Sequence, residues 1–297
     1  MGAPRCGTTA LVSLLDQHPD VFVPFVKEPH FFGSDLTTVR GFPTLESYVA
    51  LYSDAGRRHG VDASTWYLYS SRAAHEIAAL VPDARVVVMV RDPVELLYSW
   101  HGHVVLRGIE PIEVFERALE AEPDRREGRN VPPGAPIEKL LYRDIPRFAA
   151  QIDRYLRVFG RDRVHIVVHD DFKADNAAEV AKVFRFIGVD AGFEPRSTVV
   201  NAEARVRSRF LRWITEHQPP VVRSVVRSML PHPTRHALRN ALRRLNSAGR
   251  SRPPLDSEVE RSLRREFAAD VEWLAEHLQR DLGHWLPGAD GRIAHEP

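Results

Sequence analysis

The chain has 297 residues, 43% hydrophobic and 27% charged, with a formal net charge of +1. That composition is ordinary globular material and excludes a disordered or collagen-like chain, and no apolar run approaches the ~18–20 residues of a membrane-spanning helix. Cys6, the single cysteine, excludes an intramolecular disulfide framework; together with the lack of a visible signal peptide it predicts a cytoplasmic protein.

In chain order, the first element is a glycine-rich loop, Gly2-Ala-Pro-Arg-Cys-Gly-Thr-Thr9. Its glycine spacing matches a phosphate-binding loop, whose backbone N–H groups and following helix cradle an anion. Thr8 stands where a nucleotide triphosphatase needs lysine, and Arg5 is the loop's one cation. Such loops are fed by a buried strand, so a central strand of ~6–10 residues is expected upstream of Met1. A helix follows over 9–17, then a short strand at 21–23 and the loop Lys27-Glu28-Pro29-His30-Phe31-Phe32. Residues 43–54 and 71–80 read as helical. Residues 85–90 (RVVVMV) are continuously apolar and β-branched, the pattern of a parallel strand buried on both faces. Asp92 and Pro93 then open a helix as N-cap and first-turn proline.

Helix is predicted over 111–121, a loop over 128–136, and one long amphipathic helix over 137–159 that accommodates Pro146. A second buried strand spans 164–168 and a helix 176–187. A terminal amphipathic helix is predicted over 257–279. Strands alternating with helices imply an α/β fold, a doubly wound parallel sheet flanked by helices, in a single domain over 1–297. Residues 203–252 hold twelve arginines against two glutamates, a local net charge of +10. This Arg-rich region is expected to be helical and to pack on or cap the domain. Its basic amphipathic faces also predict weak contact with an anionic membrane surface, which would place the protein at the inner face of the membrane. No nucleic-acid recognition module is evident, and no His/Cys/Asp cluster has metal-ligand spacing.

Three segments in this order resemble the PAPS-dependent sulfotransferase family, in its bacterial and glycan-modifying branch: GAPRCGTT at 2–9, KEPHFF at 27–32 and VVVMVRDPVELLYSW at 86–100. The resemblance continues through 159–172 and 184–190 to DLGHW at 281–285. It implies a P-loop-like fold and transfer of a sulfuryl group from PAPS (3′-phosphoadenosine 5′-phosphosulfate) to a hydroxyl, less readily an amine, of a carbohydrate, glycolipid or small metabolite, without a metal. Residue by residue it implies Glu28 as general base with His30 as the fallback, and His101 and His103 as weaker candidates. It implies Arg5 beside the leaving 5′-phosphate, Cys6, Gly7, Thr8 and Thr9 around its oxygens, and Arg91 with Ser99 on the 3′-phosphate. Gly249 and Arg250 resemble a second cofactor loop. Two departures stand out: Ala63 and Ala248 replace lysines of the family pattern, so a second cation would have to come from Arg5, Lys27 or Arg250. Phe31, Phe32 and Trp66 wall a pocket or belong to the core, and Cys6 reads as a small filler. Two other classes stay open: a P-loop kinase or nucleotide hydrolase, disfavoured by Thr8, and a catalytically weak PAPS-binding interaction protein.

Overall fold

The computed structural model describes residues 1–37, 42–196 and 253–288. By compactness the chain divides into one unit comprising Met1–Val200 with Leu255–Pro297 and a second comprising Asn201–Pro254. The Arg-rich region, with Gly249 and Arg250, lies outside the described residues. Among those described, no helix is long and apolar enough to cross a membrane.

Numbered over the described residues, the first unit runs α1 (Thr8–Leu15), β1 (Val21–Phe22), α2 (Leu45–Val49), β2 (His59–Gly60), α3 (Ala73–Leu80), β3 (Val86–Val90) and α4 (Pro93–Leu106). It continues with α5 (Phe115–Glu120), α6 (Glu122–Arg126), α7 (Phe148–Phe159), β4 (Val164–Val168), α8 (His169–Ala174), α9 (Asn176–Ile187), α10 (Ser257–Glu266) and α11 (Ala268–Leu278). Strands β3 and β4 pair in parallel from Val86↔Val164 to Val90↔Val168, and β1 pairs in parallel with β2. Met1 and Gly2 lie along the edge of β3 away from β4. The Met1 amino nitrogen donates to the Val87 carbonyl at 2.7 Å, Met89 N–H donates to Met1 O, and Gly2 bridges Met89 in parallel. β3 is thus paired along both edges, and its Val88, Met89 and Val90 are fully buried.

Local chemistry explains the helix ends. The Asp92 carboxylate accepts from the N–H groups of Val94 and Glu95, capping α4 behind Pro93. Gly188, in the left-handed conformation, ends α9. α7 turns Phe148, Ile152, Tyr155 and Phe159 into the core and packs against β3 and β4, while α8 and α9 pack on β4. The C-terminal segment ties into the same scaffold: Arg264 of α10 pairs with Asp92 at 3.0 Å, and Trp285 Nε1 donates to Asp170 at 2.9 Å.

Three expected helices differ, the one over 111–121 beginning only at Phe115. Residues 137–159 are not one helix but two 3₁₀ turns, Ile137–Lys139 and Tyr142–Asp144, followed by α7. Pro146 supplies no N–H and its ring excludes the carbonyl four residues before it, so the helix starts beyond it. The 257–279 helix is interrupted at Phe267 (φ −96°, ψ 3°), giving α10 and α11.

Candidate functional site

The loop over 2–9 runs from the C-terminal half of β3 to the start of α1. A Cβ on Gly2 would stand 2.8 Å from Met89 O, so glycine alone permits that approach. Gly7 caps α1 in the left-handed region (φ 92°), and no side chain caps the first turn. The helix N-terminus is thereby kept for an external acceptor of hydrogen bonds. Arg5 also has a positive φ, 70°. Outside glycine that conformation is costly and collects at functional sites.

Two cations meet at this loop. Arg5 Nε donates to Ser99 Oγ at 2.9 Å, and Arg91 donates to the Arg5 carbonyl at 3.1 Å while pairing with Glu95 at 3.0 Å. Arg91 at the end of β3 and Ser99 two turns along α4 are therefore joined through Arg5. Cys6 is wholly buried, and burial pushes its thiol up to about 12, with Arg91 and Arg5 only partly opposing. It fills space and is no nucleophile at neutral pH.

The carboxylate loop reaches the same place. Lys27 Nζ donates to Thr9 Oγ1 of the phosphate loop at 2.7 Å and to Glu28 Oε1 at 3.2 Å. The other carboxylate oxygen of Glu28 accepts from Thr65 Oγ1 at 3.1 Å and lies 3.3 Å from His30 Nε2. Burial alone would raise the Glu28 carboxyl; the His30 hydrogen bond and the Lys27 ammonium overcome that and hold it down at about 2. His30 has φ 48°, and its Nδ1 is buried without a partner among the described residues.

Further along α4, His103 follows Ser99 by one turn and stacks on Trp100 at 5.3 Å. Burial, followed by the charges of Arg5, Arg107 and Lys139, pushes His103 down to about 4, so it is neutral at physiological pH. His101 is buried, its Nε2 2.9 Å from the Ile112 carbonyl, and serves packing. Phe32 and Trp66 belong to the core, while Phe31 is part-buried and stacks on Tyr48.

Sequence reasoning missed the residues that hold the carboxylate loop. Asp62 accepts from the hydroxyls of Tyr48 and Tyr67 and from Ser64 N–H. Ser64 Oγ accepts from His30 N–H, and Tyr67 Oη accepts from the N–H groups of Phe31 and Phe32. The segment 62–67, where Ala63 stands in place of the family's lysine, is a support for the loop that carries Glu28. The signal was the Asp-x-Ser spacing of a side-chain turn. Ala63 is buried, and the cation that stands beside the carboxylate is Lys27.

The sulfotransferase domain profile matches residues 1–204. The solved sulfotransferase from Alicyclobacillus acidocaldarius superposes with a TM-score of 0.69, covering 96% of this chain and 96% of that one at 24% identity, which shows a common fold. The bifunctional heparan sulfate N-deacetylase/N-sulfotransferase 4 of Mus musculus is 26% identical over 203 residues, 64% of this chain and 22% of the relative. The heparan sulfate glucosamine 3-O-sulfotransferase 6 of Homo sapiens is 28% identical over 190 residues, 64% of this chain and 51% of the relative. The chain thus spans between 22% and 51% of the length of these curated relatives. A profile match over more than half of its length, on a shared P-loop-like α/β fold, makes this chain a member of the sulfotransferase domain family.

Proposed function

We propose that the chain is a PAPS-dependent sulfotransferase acting on a hydroxyl, or less readily an amine, of a carbohydrate, glycolipid or small metabolite, with Glu28 as general base. The observation that carries this reading is a shared lysine. Lys27 bonds the phosphate loop at Thr9 and the carboxylate of Glu28 at once, so an anion cradle and an ionised base stand one side chain apart. The relatives' names, heparan sulfate N- and 3-O-sulfotransferases, support a sugar acceptor.

The residues fit an anionic donor: an uncapped helix N-terminus, a glycine that excludes a Cβ, and two guanidinium groups meet at one loop. PAPS, when bound, supplies the sulfuryl group and the phosphate leaving group. Around it, the N–H groups of Gly7, Thr8 and Thr9 would hold the 5′-phosphate oxygens, and Arg91 with Ser99 the 3′-phosphate. Glu28 takes the proton from the attacking acceptor O–H. Arg5 would stabilise the negative charge left on the departing 5′-phosphate. His30 and Thr65 orient the Glu28 carboxylate.

The test is ligand-dependent thermal unfolding followed by turnover. PAP, the 3′-phosphorylated product, is expected to raise Tm well above any effect of ADP or ATP. Glu28→Gln is expected to bind PAP normally and to lose about 10²–10⁴-fold in transfer from PAPS, the usual worth of a general base. Equal stabilisation by ADP and ATP would make the site an ordinary nucleotide site and end this reading.

A further inference from the structure

Lys27 occupies an unusual position between two anionic demands. In this structure its ammonium serves the Glu28 carboxylate and a neutral hydroxyl of the phosphate loop. Thr9 lies in the first turn of α1, the uncapped helix N-terminus that suits a phosphate. A dianionic group in that cradle would offer the Lys27 ammonium a stronger partner than a hydroxyl, within reach of the same flexible four-carbon stem. The side chain is 30% exposed, so it is free to swing rather than locked in the core.

We propose that Lys27 senses the donor: it clamps Glu28 in the unliganded protein and is drawn to an anionic group bound at the phosphate loop, which frees Glu28 to take a proton only when donor is present. The inference rests on Glu28 as base and on residues 2–9 as donor cradle. It adds an order of events, donor before proton abstraction, and makes Lys27 a positioning residue.

The charged and titratable groups that face Glu28 agree with this arrangement. On its own loop they are Lys27 and His30, and the Thr65 hydroxyl approaches from the neighbouring turn. His103 of α4, Lys139 and the Met1 amino group lie within electrostatic reach. Of these, Lys27 alone also touches the phosphate loop through a side-chain hydrogen bond among the described residues. Losing an opposite charge at this range raises a carboxyl by ~1–3 units, while His30 and Thr65 stay in place and keep it ionised at neutral pH.

The experiment follows the Glu28 carboxyl carbon by NMR in the whole chain, assigned by its loss in Glu28→Gln, with and without saturating PAP. Calorimetry separately reports whether PAP binds. In the unsubstituted protein PAP is expected to raise the Glu28 titration by about one unit or more. In Lys27→Met the titration is expected to lie higher already and to respond to PAP by well under half that amount, whereas Lys27→Arg restores the response. A crystal structure with PAP at neutral pH gives a second readout that needs no substitution: Lys27 Nζ bonded to a phosphate oxygen and more than ~4 Å from Glu28, beyond ion-pair range. The proposal is overturned by PAP binding without a titration shift, by an equal shift in Lys27→Met, which would be plain repulsion from the phosphate, or by Lys27 remaining on Glu28 in the complex. Absence of PAP binding would overturn this inference together with the donor-site reading.

Discussion

His30→Asn separates the two candidate bases. Asparagine tolerates the positive φ of this position but is too short to reach the Glu28 carboxylate, so it removes the 3.3 Å contact without adding backbone strain. A hydrogen bond to a charged group is worth ~1.5–3 kcal/mol, which corresponds to about 1–2 units on the Glu28 carboxyl. The substitution should therefore lift Glu28 from about 2 toward 3–4. Because the folded-state value lies below the ordinary ~4.3 of a free glutamate, the ionised carboxylate stabilises the fold above that pH and the contribution is lost as pH falls toward 2. Glu28's side chain is 32% exposed, and solvent screening holds His30's share to the low end of that range, about 1.5 kcal/mol. Urea unfolding from pH 5 down to 2.5 should show the variant losing about that much less stability than the unsubstituted protein. In a turnover assay the acid limb should move upward by the same 1–2 units, while activity at pH 7 stays within about tenfold, since the base is ionised in both. A fall of 10³-fold or more at pH 7 would make His30 the base, and an unmoved acid limb would remove it from the Glu28 environment.

Two further outcomes test the frame around the site. Glu110 and Arg125 form a fully buried bidentate pair at 2.8 and 2.9 Å, and Tyr142 Oη donates to the same carboxylate at 2.6 Å. Glu110→Gln leaves a buried guanidinium without its counter-charge and should cost about 3–5 kcal/mol in urea unfolding while leaving PAP affinity unchanged. Cys6, with its thiol pushed up to about 12, should resist iodoacetamide at pH 8 in the folded protein and react at once in denaturant. Labelling of the native chain would contradict its burial.

Much of the fold was legible because it rests on local signals. The apolar run at 86–90 and the Asp92-Pro93 start of α4 each encode their element in adjacent residues. The long helix over 137–159 failed because amphipathic periodicity persists through Pro146, where the backbone cannot follow it. At the site, the resemblance supplied residue identities but not their bonds. Arg5 to Ser99 spans 94 positions, Thr65 to Glu28 spans 37 and Lys27 to Thr9 spans 18. Such pairings are set by the meeting of β3, α1, α4 and the 62–67 turn, not by any local spacing. The supporting role of Asp62 was hidden for the same reason, since its tyrosine partners sit on two different elements.

The Asp62 cluster also bears on how the site opens. The amides of His30, Phe31 and Phe32 hang from Ser64 and Tyr67, and Tyr67's own carbonyl accepts from the buried Tyr155 hydroxyl of α7 at 2.6 Å. A segment with no regular secondary structure is thereby fastened to the core-facing side of α7. Lifting it would break several bonds at once, so it is poorly suited to act as a gate on each catalytic cycle. Glu28 is thereby held on a fixed wall, and any motion that admits a ligand falls to other parts of the chain.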